Sequence, residues 1–144
     1  MIVAQASNRE RARTGMDKVI RRALSRGRAI DITTIGRRTG HPRRIEIVFH
    51  VFGGRIYISG MPSRRTRAWI HNLRADPDFT VHLKGPDATA DLPATARIIT
   101  DEAERRRILE QVARVWRRTD VDEMVRFSPL IEVTIAGYTD ATAA

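Results

Sequence analysis

The chain contains no cysteine, which excludes disulfides, iron–sulfur clusters and thiolate zinc sites and leaves oxygen groups, nitrogen groups or a borrowed cofactor to carry any chemistry. Aromatic residues number only eight (two Trp, two Tyr and four Phe), several of them at core parity. That is too few for the base-stacking platform of a nucleic-acid-binding module, and no recognition motif of that kind is present. No run approaches the roughly 18 apolar residues of a spanning helix, and the start lacks the apolar core of a secretory signal, so the expected location is the cytoplasm. The dinucleotide motif GxGxxG, the P-loop and the nucleophile motif GxSxG are all missing. His41, His50, His71 and His82 show neither HxH nor HExxH spacing, so no metal site is expected. Lysine is scarce too: of 26 basic residues only two are lysine.

What the chain does have is arginine. Its 144 residues, 42% hydrophobic and 30% charged with a net charge of +9, are the size and mix of one globular domain. The first 28 residues hold eight basic side chains against Glu10 and Asp17, a local +6, leaving +3 for the other 116. Guanidinium groups stay charged and grip phosphate or carboxylate through paired hydrogen bonds, so an anionic partner is expected wherever they cluster.

Periodicity divides the chain into a basic N-terminal helix over residues 1–28, a β-rich domain over 29–135 and a tail over 136–144. Met16, Val19, Ile20, Ala23 and Leu24 recur at helical spacing, which predicts an amphipathic helix from about Arg9 to Ser25 stopped by Gly27. Alternation then takes over. Ala29 to Ile35 reads as a strand, as does Arg44 to Val51, and Gly53-Gly54 turns the chain into Arg55 to Gly60 as an antiparallel hairpin. A short helix is expected over Arg64 to Arg74, broken by Asp76-Pro77. Strands follow at Phe79 to Lys84 and at Leu92 to Thr100, where Pro93 points to an edge or a strand start. Asp101 opens a helix to about Arg118, and Leu130 to Ile135 forms the last strand. Strands joined by tight turns pair antiparallel, and six of them hide their edges best by curling into a barrel.

Two clusters stand out chemically. Gly36-Arg37-Arg38-Thr39-Gly40, with Arg43 and Arg44 just beyond Pro42, sets guanidinium groups, a hydroxyl and backbone amides in one strand-to-strand loop, a plausible phosphate cradle. The competing reading is a solvated hairpin loop. Ser63-Arg64-Arg65-Thr66-Arg67 opens the short helix, where free N–H groups favour an anion, or simply forms a solvated face. Two such sites would hold one ligand at two points. Trp69 and Asn72 lie three apart on that helix and face the same way, although a tryptophan at helical spacing is also a core residue.

Ile32 to Arg44 (ITTIGRRTGHPRR), the hairpin ending at Gly53 to Gly60 (GGRIYISG) and Arg67 to Gly85 (RAWIHNLRADPDFTVHLKG), in that order, resemble the deazaflavin-dependent nitroreductase and quinone reductase family. The resemblance covers about Ala29 to Ile135. It implies an α+β, mainly antiparallel split β-barrel similar to that of the flavin mononucleotide-binding pyridoxamine-phosphate oxidases. It also implies coenzyme F-420, an 8-hydroxy-5-deazaflavin with an anionic phosphate and oligoglutamate tail. On this resemblance Arg37, Arg38, Thr39, Gly40 and Arg43 hold the phosphate and tail region, and Trp69 and Asn72 line the groove near the ring. Ser59, Gly60, Met61, Arg64 and Arg65 complete the cofactor-binding set. The chain departs from the family at Met61 and Pro62, where a serine and a lysine are usual, at Ile70, where a tyrosine is usual, and over Trp116 to Pro129, which lacks tyrosine.

The function so implied is hydride transfer from the reduced cofactor to a quinone, nitro compound or activated alkene, with no catalytic side chain assigned. The alternatives are a split barrel that binds flavin mononucleotide (FMN) or haem, or a deazaflavin carrier; a basic nucleic-acid-binding module is disfavoured. A small-molecule substrate and a homodimer are the implied partners. The basic helix has three readings: a lid, a weak peripheral contact with an anionic membrane, or plain docking on the barrel.

Overall fold

The period-two segments become six strands of one closed sheet in the computed structural model, which describes residues 17–86 and 88–138. The N-terminal part of the expected helix, Met16 included, and the tail beyond Tyr138 lie outside these described residues. The strands are β1 (Ala29–Ile35), β2 (Pro42–Phe52), β3 (Arg55–Ser59), β4 (Asp78–Lys84), β5 (Thr89–Ile98) and β6 (Leu130–Ile135). They pair antiparallel in the order β1-β2-β3-β6-β5-β4, and Asp31 to Thr33 of β1 close the ring against Thr80 to His82 of β4. A closed ring leaves no unpaired edge, which is the physical reason for curling a short six-stranded sheet.

Alternation decides what fills the ring. Ile30 and Ile32 of β1, Phe49 of β2, Ile56 and Ile58 of β3, Val81 and Leu83 of β4, and Ile131 and Val133 of β6 are buried in one cluster. Each such side chain contributes about 1.5–3 kcal/mol when removed from water. Helix α1 (Lys18–Arg26) adds Ala23 and Leu24 to this cluster, and helix α2 (Ala68–Ala75) adds Trp69, Ile70 and Leu73. Asp17 caps α1 by accepting from the Val19 N–H at 2.7 Å, and Gly27 ends it at φ +64°, a conformation open to glycine. Of the stripe's described residues only Ala23 and Leu24 are fully buried, while Val19 is exposed. Arg21 ties the helix down by donating to the Gly137 carbonyl at 2.5 Å beside the Tyr138 ring.

A second core lies on the outer side of β3. Tyr57 packs there under helix α3 (Glu102–Trp116), through Ile108, Leu109 and Val112, and helix α4 (Val121–Phe127), through Met124 and Val125. The Asp101 side chain caps α3 at the Glu104 N–H, 2.9 Å away, as its position predicts.

Three sequence expectations need correction. Helix α2 begins at Ala68, not Arg64. The Ser63 hydroxyl donates to the Arg65 carbonyl and accepts from the Arg65 N–H, a local bonding that competes with helix formation. Pro93 lies inside β5, paired with Thr80; the pairing of β5 with β6 begins only at Ala94, so the missing N–H falls where one side of the strand has no ladder to lose. Helix α4 was not expected, although Val121, Met124 and Val125 recur at helical spacing.

Candidate functional site

The first cluster sits where β1 hands over to β2. Ile35 pairs with Pro42, and the loop between them is closed by Gly36 N–H donating to the His41 carbonyl at 2.9 Å and Gly40 N–H donating to the Gly36 carbonyl at 2.8 Å. Gly40 is at φ +73° with open space around it, whereas a Cβ on Gly36 would stand 3.0 Å from Thr39 Oγ1 and 3.1 Å from the His41 carbonyl. A side chain at Gly36 would therefore require Thr39 and the His41 carbonyl to shift by a few tenths of an ångström. Arg37, Arg38 and Thr39 are exposed on this loop.

Asn72 fixes that loop to the rest of the molecule. It is 4% exposed on α2; its Nδ2 donates to Thr34 Oγ1 at 3.1 Å and its Oδ1 accepts from the Arg37 N–H at 3.1 Å. One amide side chain thus joins α2, the end of β1 and the arginine loop. Trp69, on the same face of α2 and 7% exposed, is both core and wall: it stands with Ile45 and Ala68 opposite Arg37, Arg38 and Arg43 in a cleft of about 470 Å³. Among the described residues no carboxylate lines this cleft. By contrast Arg44, the next residue after Arg43, turns to the outer face and pairs with Asp31 at 3.0 Å. The cleft offers guanidinium forks and backbone amides to a phosphate and an indole face to a ring.

The second cluster is separate. Arg64 and Arg65 line a cleft of about 270 Å³ on the other side of α2, together with Arg67, Arg74, Arg105 and Arg126. Register explains its assembly: Ser59 pairs with Leu130, so the segment after β3 runs beside the end of α4, where Ser63 N–H donates to the Phe127 carbonyl at 3.0 Å. The Ser59 hydroxyl is used structurally, donating to the Pro129 carbonyl at 2.8 Å. A Cβ on Gly60 would stand 3.1 Å from Pro129 Cγ, and Met61 is exposed with its sulfur 3.3 Å from the Arg118 guanidinium. Ser59, Gly60 and Met61 line neither cleft.

Of the twelve expected residues, the structure gathers Arg37, Arg38, Thr39, Arg43, Trp69 and Asn72 into the first cleft, with Gly40 in its loop but not in its wall. Thr34, Gly36 and Ile45 line it as well, and the inward parity of β1 and β2 is the signal that places Thr34 and Ile45 there. The second cleft takes Arg64 and Arg65. Its Arg105 is half-buried, and burial lowers its pKa from the usual guanidinium range. Arg105 donates to the carbonyls of Ile99, Val125 and Ser128 at 3.0, 2.8 and 2.5 Å. Among the described residues no three His, Cys, Asp or Glu side chains group as a metal would require.

The family model for F-420H(2)-dependent quinone reductase matches residues 6–136. The chain belongs to this family. It is a deazaflavin-dependent oxidoreductase, and its cofactor is coenzyme F-420. Solved structures agree on the split-barrel fold. A conserved hypothetical protein from Mycobacterium tuberculosis superposes with a TM-score of 0.66 at 21% identity, over 87% of this chain and 84% of that one. An F-420 reductase gives 0.60 at 16% identity, over 80% and 91%. A Clostridium acetobutylicum protein of the pyridoxinephosphate oxidase family gives 0.59 at 13% identity, over 81% and 82%. No curated protein matches the chain. Among the described residues no helix is long and apolar enough to cross a membrane.

Proposed function

We propose that the cleft between α2 and the β1–β2 loop holds the F-420 cofactor, and that the enzyme delivers its hydride to a quinone, nitro compound or activated alkene. The observation that carries this reading is the Asn72 clamp: a buried amide holds the Arg37 backbone in place at the rim of a cleft whose lining, among the described residues, carries three arginines and no acid. The residues fit the group. Arg37, Arg38 and Arg43 present forked donors for the phosphate and the first carboxylates of the tail, Gly36 lets the backbone approach closely, and the Trp69 indole bounds the ring side.

When bound, reduced deazaflavin supplies a hydride from its C5 position, so no side chain has to act as a nucleophile. The protein's part is to bind, orient and exclude water. Pre-ordering of the loop by Asn72 lowers the entropy lost on binding, because the backbone beside Arg37 is fixed before the anion arrives. Among the described residues the arginines of this cleft have no carboxylate to release first, which leaves their charge available to the ligand.

Titration of the whole protein with F-420, FMN and a DNA duplex tests the reading. F-420 is expected to bind tightest, with the affinity falling as salt rises because charge carries much of it. FMN binding more tightly than F-420, or duplex binding in its place, contradicts it.

A further inference from the structure

The second cleft gathers more positive charge than the cofactor site above requires. Along the barrel wall and on α3 and the α3–α4 connection the chain neutralises its arginines: Arg55 and Arg97 share Glu132, Arg106 meets Asp122 and Arg118 meets Asp120. Around the second cleft it does not. Arg64, Arg65, Arg67, Arg74 and Arg126 have no carboxylate partner among the described residues, and none lines the cleft. Arg105 alone is committed, to backbone carbonyls.

Two further features point to a ligand. The guanidinium groups of Arg64 and Arg126 both lie over the Phe127 ring, at 5.4 and 5.6 Å from its centroid, so an aromatic surface and two donor forks meet at one place. Ser128, 4% exposed and lining the cleft, has a hydroxyl with no hydrogen-bond partner. Buried hydroxyls are almost always satisfied, and converging like charges repel one another unless an anion lies among them. A carboxylate or phosphate would relieve both conditions at once, by accepting from the guanidinium forks and, with the Ser128 side chain rotated out of its buried position, from that hydroxyl.

We propose that this cleft is a second ligand site, which takes a planar organic acid: one or two conjugated rings beside Phe127, with the carboxylate or phosphate on Arg64, Arg126 and Ser128. Its volume of about 270 Å³ lies just below the roughly 300 Å³ at which drug-sized pockets begin, which limits the ligand to one or two rings. The proposal rests on the first cleft being the place of the F-420 phosphate and tail, which leaves the second to a separate molecule.

Calorimetric titration of the full chain with 2-naphthoate, with the neutral 2-naphthalenemethanol and with inorganic phosphate tests it without turnover. The acid is expected to bind about tenfold or more tighter than the alcohol, since one charge-assisted contact is worth that much. It is also expected to bind more tightly than inorganic phosphate. The double variant Arg64→Ala/Arg126→Ala is expected to lose about tenfold or more for the acid, with unchanged circular dichroism. Ser128→Ala, which removes only the hydroxyl, is expected to weaken the acid measurably and leave the alcohol unchanged. Equal binding of acid and alcohol, phosphate binding as tightly as the acid, or no effect of the double variant overturns the site.

Repeating the titration at saturating F-420 separates the two sources of carboxylate. Retained naphthoate affinity supports a separate ligand, whereas displacement, with Arg64→Ala/Arg126→Ala also weakening F-420, assigns the cleft to the cofactor's own tail and overturns the proposal. If naphthoate behaves as expected but Arg37→Ala/Arg38→Ala leaves F-420 binding unchanged, the reading of the first cleft fails and the second site stands.

Discussion

The two clefts on either side of α2 are both basic and, among the described residues, both free of carboxylates, yet they are held in opposite ways. In the first the backbone is fixed and the side chains are not: Asn72 anchors the loop at the Arg37 N–H while the Arg37 and Arg38 side chains remain exposed. In the second, one side chain is the fastening: the Arg105 guanidinium joins α3 to the end of α4 through backbone carbonyls, and Arg64 and Arg126 rest on Phe127. A cleft with a fixed backbone and loose charges suits an anion whose position must be reproducible along its length. A cleft with parked guanidinium groups and an orphaned hydroxyl suits a smaller acid that replaces those contacts.

Each element of this contrast can be broken separately. Trp69→Ala removes a nearly buried indole from the wall of the first cleft and from the barrel core, and is expected to cost about 3–5 kcal/mol of stability by chemical denaturation. Trp69→Phe is expected to recover much of that. Arg105→Met keeps much of the volume but leaves several carbonyls unpaired, with an expected loss of about 3 kcal/mol; F-420 affinity of the folded fraction is expected to change little. Asn72→Ala strands Thr34 Oγ1 and the Arg37 N–H, with an expected cost of about 2 kcal/mol in stability. Unlike the Arg105 variant, it is expected to weaken F-420 as well, and a titration that finds the affinity unchanged would show that the loop is ordered without the clamp.

A control outside both clefts is smaller. His50 is buried between Phe52 and Trp116, with Nε2 unpartnered, and burial lowers its pKa. The unfolded chain therefore takes up a proton near pH 6.5 that the folded chain refuses. Stability is expected to fall as pH drops below that value. His50→Gln is expected to flatten this part of the thermal melting profile without moving F-420 affinity at neutral pH.

The barrel was legible because its information is local. Alternation in Ile45 to Val51 and in Phe79 to Leu83, with Gly53-Gly54 between two strands, marks strands and a hairpin without any knowledge of partners. The first cleft was legible for the same reason: Arg37 and Arg38 lie in one loop with Arg43 just beyond it at the start of β2, and Trp69 and Asn72 lie on one helical face. The second cleft was only half legible. Arg64 and Arg65 are visible as a cluster, but Arg126, Phe127 and Ser128 meet them only through the pairing of Ser59 with Leu130, a contact that no local pattern displays. Helix α4 was overlooked because its seven residues carry three charges and resemble a loop. Arg64, Arg65 and Arg67 have the pattern of a helix's charged face beside Trp69 and Leu73, but the Ser63 side chain takes up the backbone groups there and α2 starts a turn later.

The proposed division of anionic ligands between the two clefts, with the cofactor in the first, makes a quantitative demand on F-420 affinity. It is tested most directly by measuring F-420 dissociation constants for the native chain, Arg37→Ala/Arg38→Ala and Arg64→Ala/Arg126→Ala, at one salt concentration and with circular dichroism confirming the fold. Loss of two charge-assisted contacts of about 1.5–3 kcal/mol each predicts that the first double variant weakens F-420 by about a hundredfold or more, and the second by less than about threefold. The reverse pattern, with Arg64 and Arg126 carrying the affinity and Arg37 and Arg38 dispensable, would contradict the account.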